Sequence, residues 1–115
     1  METTVAEKSL DFAVRIVNVR KYLVDEKKEF IMSKQLLRCG TSIGANIAEA
    51  QRGQSRADFT AKMSIALKEA SECEYWLRLL QRTDYLNQAQ FDSLHTDICE
   101  ILRLLTAICK TSSQN

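Results

Sequence analysis

Proline is absent from this 115-residue chain and glycine occurs only three times, where average usage would give about six and eight. Turns must therefore be few and regular elements long, which makes all-helical the favoured class. No apolar run approaches the ~20 residues needed to cross a bilayer. The opening Met1-Glu2-Thr3-Thr4 lacks the basic-then-apolar order of a signal peptide, so a cytoplasmic location is expected. Neither sign of charge dominates: sixteen Lys and Arg face fifteen Asp and Glu, a net of +1. That leaves no global field to draw nucleic acid or an anionic membrane, only the option of a local patch.

Side chains that carry chemistry are equally sparse. Nucleophilic and acid–base catalysis need a base held beside a nucleophile, and there is one histidine, His95. Cys39, Cys73, Cys99 and Cys109 contain no Cys-x-x-Cys pair and so lack the local spacing of a structural zinc site. In a reducing compartment they are expected to be free thiols acting as small apolar side chains. No Lys-Ser or Lys-Thr follows Gly40 and Gly44, so there is no phosphate loop. Asp92 and His95 stand three apart, as in the Glu-x-x-His element of di-iron bundles, but such a site needs a second histidine. His95 and Cys99, four apart, share one helix face and are the nearest approach to a local metal pair. No catalytic, cofactor-binding or metal residue is assigned, and no cofactor is expected.

What is present is helical periodicity. Helix one is expected over about 4–24, opening at the capping-box pair Thr4 and Glu7. Leu10, Ala13, Val17 and Val24 form one apolar stripe, with Phe12, Ile16, Val19 and Leu23 beside it. Helix two, about 31–51, carries Leu36, Gly40, Ile43 and Ile47 on one face. A glycine inside a helix costs about 1 kcal/mol relative to alanine, so Gly40 and Gly44 imply a neighbouring backbone that comes close; a break near Gly40 is the alternative. Gly53 and the N-cap Ser55 separate it from helix three, about 56–83, whose stripe is Phe59, Met63, Ala66, Ala70, Cys73, Leu77 and Leu80. Ile65, Trp76 and Leu79 form a second stripe there. Asn87 and Gln90 open helix four, about 88–110, with Phe91, Leu94, Ile98, Ile101, Leu105 and Ile108 at heptad spacing. Residues 111–115 read as a frayed tail.

Four amphipathic helices with short connections pack as one domain over 1–115, an antiparallel up-down-up-down four-helix bundle. The second stripes exceed what one such core buries, which predicts a homo-oligomer with Phe12, Ile16, Val19, Ile65, Trp76 and Leu79 at its interface. Lys34, Arg38, Arg52 and Arg56 against Glu49 and Asp58 give a net of +2 within residues 31–58, the candidate surface for phosphate contacts. Phe12, Phe59, Trp76 and Phe91 lie on apolar stripes, so base stacking is not expected of them. Ser42, Asn46 and Glu49 share a flank of helix two and form a structural polar motif.

The run Ser33-Lys34-Gln35-Leu36-Leu37-Arg38, then Thr41 through Ala50 (Thr-Ser-Ile-Gly-Ala-Asn-Ile-Ala-Glu-Ala), closely resembles the signature of the bacterial four-helix-bundle protein family. Members of that family are encoded within intervening sequences of large-subunit ribosomal RNA genes. The similarity continues through Ala57-Asp58-Phe59, Leu67-Lys68-Glu69-Ala70 and Glu74-Tyr75-Trp76-Leu77. Many members have Ser where this chain has Cys39 and Gly where it has Ala50. The resemblance implies an up-down bundle assembling as a ring-like homopentamer, with no catalytic residue to carry over. A related accessory protein of diversity-generating retroelements is a basic pentamer that engages a reverse transcriptase and nucleic acid.

The function expected is a non-catalytic oligomeric module that binds itself and, through its surfaces, nucleic acid or a nucleic-acid-processing protein. The alternatives are a purely structural, self-assembling protein with no ligand and an enzyme with a site at the subunit interface.

Overall fold

The first turn of a helix leaves its backbone N–H groups without partners, and this chain supplies a side chain at each start. The computed structural model describes residues 3–114. Helix α1 spans Val5–Asp25, with Thr4 Oγ1 accepting from Glu7 N at 3.1 Å. Helix α3 spans Arg56–Arg82, and Ser55 Oγ accepts from Asp58 N at 3.1 Å. Helix α4 spans Gln88–Ser113 behind a full capping box, Gln90 N to Asn87 Oδ1 at 2.8 Å and Asn87 N to Gln90 Oε1 at 2.9 Å.

Helix α2, Met32–Gln51, is capped differently. Its N-cap residue is Ile31, which offers no side-chain acceptor. Glu29 takes that role from outside the helix: its carboxylate accepts from Ile31 N at 3.1 Å, Met32 N at 2.9 Å and Ser33 N at 2.9 Å. Ser33 Oγ donates back to the Glu29 carbonyl at 2.7 Å, and Glu29 N donates to Leu23 O at 2.9 Å, so the same residue ties α2 to the end of α1. Glu29 is buried, at 7% exposure. A carboxylate at a helix N-terminus is also favoured by the helix dipole.

The helices follow one another up, down, up and down, with α1 closing the bundle against α4. The body measures 46 × 25 × 21 Å. Its core takes Phe12, Ile16 and Leu23 from α1, Leu36, Ile43 and Ile47 from α2, Leu77 and Leu80 from α3, and Ile98, Ile101 and Leu105 from α4. The main stripes expected for α2 and α3 face inward, as does the centre of the α4 heptad pattern.

Helix α1 corrects the sequence reading. The stripe taken as the second one, Phe12, Ile16 and Leu23, is the core stripe, with Val19 packed at its edge. Leu10 and Val14 face outward at 65% and 55% exposure. Phe12 and Ile16 are therefore sealed inside the protomer and unavailable to an interface. The cause is α2, whose glycines create the socket. A Cβ built on Gly40 would stand 2.8 Å from Ile16 Cγ2, and one on Gly44 would stand 3.1 Å from Ser9 Oγ. The close approach is made by the side chains of Ile16 and Ser9, and α2 runs unbroken through Gly40.

Two ends also differ from expectation. Helix α4 continues through Thr111, Ser112 and Ser113, where a frayed tail is expected, because Ser112 Oγ hydrogen-bonds Thr60 Oγ1 on α3; Asn115 lies outside the described residues. The left-handed backbone positions fall on Lys28 (φ 54°) and Asp84 (φ 68°) instead of a glycine. Asp84 ends α3 in a Schellman turn, Tyr85 N to Leu80 O at 2.9 Å and Asp84 N to Gln81 O at 3.2 Å.

Candidate functional site

The seam between α3 and α4 gathers three side chains of different donor chemistry. Glu74 projects from α3, and His95 and Cys99 lie one turn apart on α4, which puts both on the same face. His95 Nε2 lies 2.8 Å from Glu74 Oε2. Cys99 Sγ lies 3.5 Å from His95 Nε2 and 3.9 Å from Glu74 Oε2. One ligand atom from each residue falls within 4.8 Å of the others. Phe91 stacks on the imidazole at 4.8 Å between ring centroids and 20° between planes, which fixes the ring face. All three residues are half-buried, with about a third of the His95 and Glu74 side chains exposed (33% and 30%).

This arrangement disfavours nucleophilic chemistry. Burial first, and then the nearby Glu74 carboxylate, push the Cys99 thiol above its ordinary value, with Arg103 partly opposing them. A thiol held protonated beside a carboxylate is a poor nucleophile, since the thiolate is the reactive form. Cys73 is pushed well above its ordinary value by its neighbour Cys39 across the α2–α3 seam and by burial. Those two thiols are core groups, and all four cysteines are free.

The basic residues do not form one patch. Lys34 and Arg52 lie on the same side of α2, but eighteen residues at 1.5 Å each put them roughly 27 Å apart, near opposite ends of the bundle. Arg52 and Arg56 flank the exposed α2–α3 bend, where residues 51–58 are all exposed. Arg38 is occupied: it pairs with Glu69 at 3.2 Å and with Glu72, both on α3, and takes a further bond from its Nε to Gln35 Oε1 at 3.2 Å. Among the described residues, Lys34, Arg52 and Arg56 have no ion pair. The polar flank of α2 splits likewise. Asn46 Nδ2 donates to the Ser42 backbone carbonyl at 2.9 Å, while Glu49 reaches across to Lys62 at 3.6 Å.

Of the six apolar residues expected at an interface, Val19 and Trp76 are half-buried against the core. Ile65 is 40% exposed and Leu79 is partly so. Exposed apolar groups that sequence reasoning did not select are Leu10, Val14, Tyr75 (59%), Phe30 (54%) and Ile31 (79%). Leu10 falls in the first apolar stripe of helix one, and Val14 falls in neither stripe. Glu74 was missed because it lies 21 residues before His95, too far for any local motif, and only the α3–α4 packing brings them together.

The fold has counterparts among known structures. A crystal structure of a protein of unknown function from the S23 ribosomal protein family of Bacteroides thetaiotaomicron superimposes with a TM-score of 0.92 at 62% identity. The match covers 93% of this chain and 99% of that one. No curated protein sequence matches. The 23S rRNA-intervening sequence protein family matches residues 1–107, nearly the whole chain. The chain thus belongs to the 23S rRNA-intervening sequence protein family.

Proposed function

We propose that this protein is a non-catalytic, self-assembling helical module. The observation that carries this reading is the apolar surface the protomer leaves uncovered, Leu10 and Val14 on α1 with Ile65 and Tyr75 on α3. Because α1 and α3 do not touch, these side chains leave apolar groups on two separate sides of the protomer, each free to meet a further copy. The family resemblance supports a homopentamer. The neutral Cys99 thiol beside the only histidine supports a role without covalent chemistry. Light scattering in dilute solution tests the assembly. A mass of about five times the 13.1 kDa chain is expected, and a mass near 13.1 kDa at micromolar concentration overturns the reading.

A second reading, favoured by the unpaired Arg52 and Arg56 on an exposed bend, is that the assembly contacts nucleic-acid phosphates. Copies of that bend repeated around a ring would meet several phosphates together, giving affinity that falls steeply with salt. The test is binding to a labelled duplex and a labelled single strand across a salt series. The native protein is compared with a variant carrying Gln at positions 34, 38, 52 and 56. Modest, salt-sensitive binding lost in the variant is expected, with Arg52 and Arg56 carrying most of it. Binding that survives the change, or ignores salt, defeats the assignment.

A further inference from the structure

We infer that Glu74, His95 and Cys99 form a site for one divalent metal ion of zinc type, bound by a carboxylate oxygen, an imidazole nitrogen and a thiolate sulfur. This goes beyond the expectation from local spacing, which could not see Glu74, and it rests on the protomer alone, whatever its assembly.

The separations fit a tetrahedral ion. Zinc bonds of about 2.3 Å to sulfur and about 2.0–2.2 Å to nitrogen and oxygen place neighbouring ligand atoms roughly 3.4–3.6 Å apart. The sulfur-to-nitrogen distance of 3.5 Å already matches, and the sulfur-to-oxygen distance of 3.9 Å is close. The 2.8 Å hydrogen bond between His95 Nε2 and Glu74 Oε2 must open by about half an ångström as the ion takes the proton's place, the neutral imidazole then carrying its proton on Nδ1. Glu74 is half-buried on a flexible side chain, so that movement needs no backbone change. Phe91 holds the imidazole plane, and the i, i+4 spacing of His95 and Cys99 holds their nitrogen and sulfur on one helix face.

The donor set selects the class of ion. One thiolate, one imidazole and one carboxylate suit zinc and its neighbours, whereas calcium and magnesium want oxygen alone. Two anionic ligands neutralise the dication, with the Cys99 thiol releasing its proton to solvent as the Sγ–metal bond forms. Three protein ligands leave a fourth position open to water.

Cobalt(II) is the probe because thiolate ligation gives it a distinct sulfur-to-metal charge-transfer band, and zinc then competes for the site. Titration of the purified, reduced, full-length protein should produce that band at one ion per chain, and zinc should abolish it. The band should persist in Cys109→Ser and vanish in Cys99→Ser. Glu74→Gln and His95→Gln should weaken binding by at least roughly tenfold, the loss seen even for groups one shell further out. His95 is the only histidine, so its imidazole NMR signals report zinc binding in the unaltered protein, independently of whether any variant folds. Those signals should shift on adding one equivalent of zinc. No charge-transfer band, a band that survives Cys99→Ser, or imidazole signals unmoved by zinc overturns the site.

Discussion

The two flanks of α1 are held by different physics. Toward α2, the contact is shape: Ile16 fills the space over Gly40, Ser9 sits over Gly44, and Glu29 clamps the turn between the helices. Toward α4, the contact is charge at a half-exposed surface. Arg15 donates to Ser93 Oγ at 2.7 Å and to the Ser93 carbonyl at 3.2 Å, and pairs with Asp97, while Lys8 pairs with Glu100. Sockets fix register and resist water, whereas exposed ion pairs add little free energy and respond to salt and pH. Stability is therefore expected to be concentrated on the α2 side of α1.

The largest effect should come from Ile16→Ala, a fully buried residue, at about 3 kcal/mol from lost burial and the cavity left behind. Gly40→Ala places a Cβ 2.8 Å from Ile16 Cγ2. Ile16 is β-branched and stiff, so overpacking of roughly 1–3 kcal/mol should exceed the helix-propensity gain of about 1 kcal/mol. The pair should be strongly non-additive, because Ile16→Ala opens the room that Gly40→Ala needs. Denaturant unfolding at fixed protein concentration measures all three variants. A stabilising Gly40→Ala, or additive effects in the double variant, would break the socket account.

Glu29 should come next. Replacing it by Ala leaves three backbone N–H groups at the start of α2, of which that of Ser33 is buried, without their acceptor, for a loss of about 2 kcal/mol. Hydrogen exchange sharpens the comparison. Amides of the first turn of α2 should lose protection in Glu29→Ala while those of the first turn of α4, with its own capping box, keep theirs. Equal loss at both helix starts would mean that the effect is global and not a cap.

How much of this was legible in the sequence depended on whether the signal was local. The caps at Thr4, Ser55 and Asn87 act over three residues, and the sequence shows them. The stripes on α2 and α3 were readable because polar faces flank them. Helix α1 misled because its apolar arc holds two adjacent stripes, Leu10, Ala13, Val17 and Val24 beside Phe12, Ile16, Val19 and Leu23, so periodicity alone cannot choose the inner one. The choice is made by the Gly40 and Gly44 socket on another helix and by Ser9, a buried residue whose hydroxyl is satisfied by Ala6 O at 2.8 Å. Glu29 closes the charged run Asp25 to Glu29, and nothing local marks it as a cap because its partners are backbone groups that carry no sequence signature. The chain's end looked frayed by composition, yet Ser112 is held by Thr60, 52 residues away. Glu74 is the same lesson at the candidate metal site: two of its three ligands share a helix face and were visible as a pair, and the third arrives only through packing.

The smallest effects belong to the α4 flank, and they should be the ones that solution conditions erase. Arg15→Met should change stability by less than about 1 kcal/mol, and raised salt should shrink the difference further. For Lys8 and Glu100 the sign with pH is fixed by chemistry. The hydrogen bond from Lys8, then its charge, hold the Glu100 carboxyl below the usual carboxylate range, outweighing a small opposing effect of burial. A folded value below the unfolded one means that the unfolded chain takes up the proton first. The bridge therefore contributes fully above the unfolded value, about 4.3, and its contribution is lost as pH falls through the folded one. Lys8→Met removes the bridge, so its small deficit in thermal midpoint relative to the native protein should be present at neutral pH and fade below about pH 4. The Ile16→Ala deficit has no titrating partner and should persist over the same range. If the Lys8→Met deficit remained undiminished in acid, the contact of Lys8 with α4 would be one of packing along its aliphatic stem, and the two flanks of α1 would differ less than their geometry indicates.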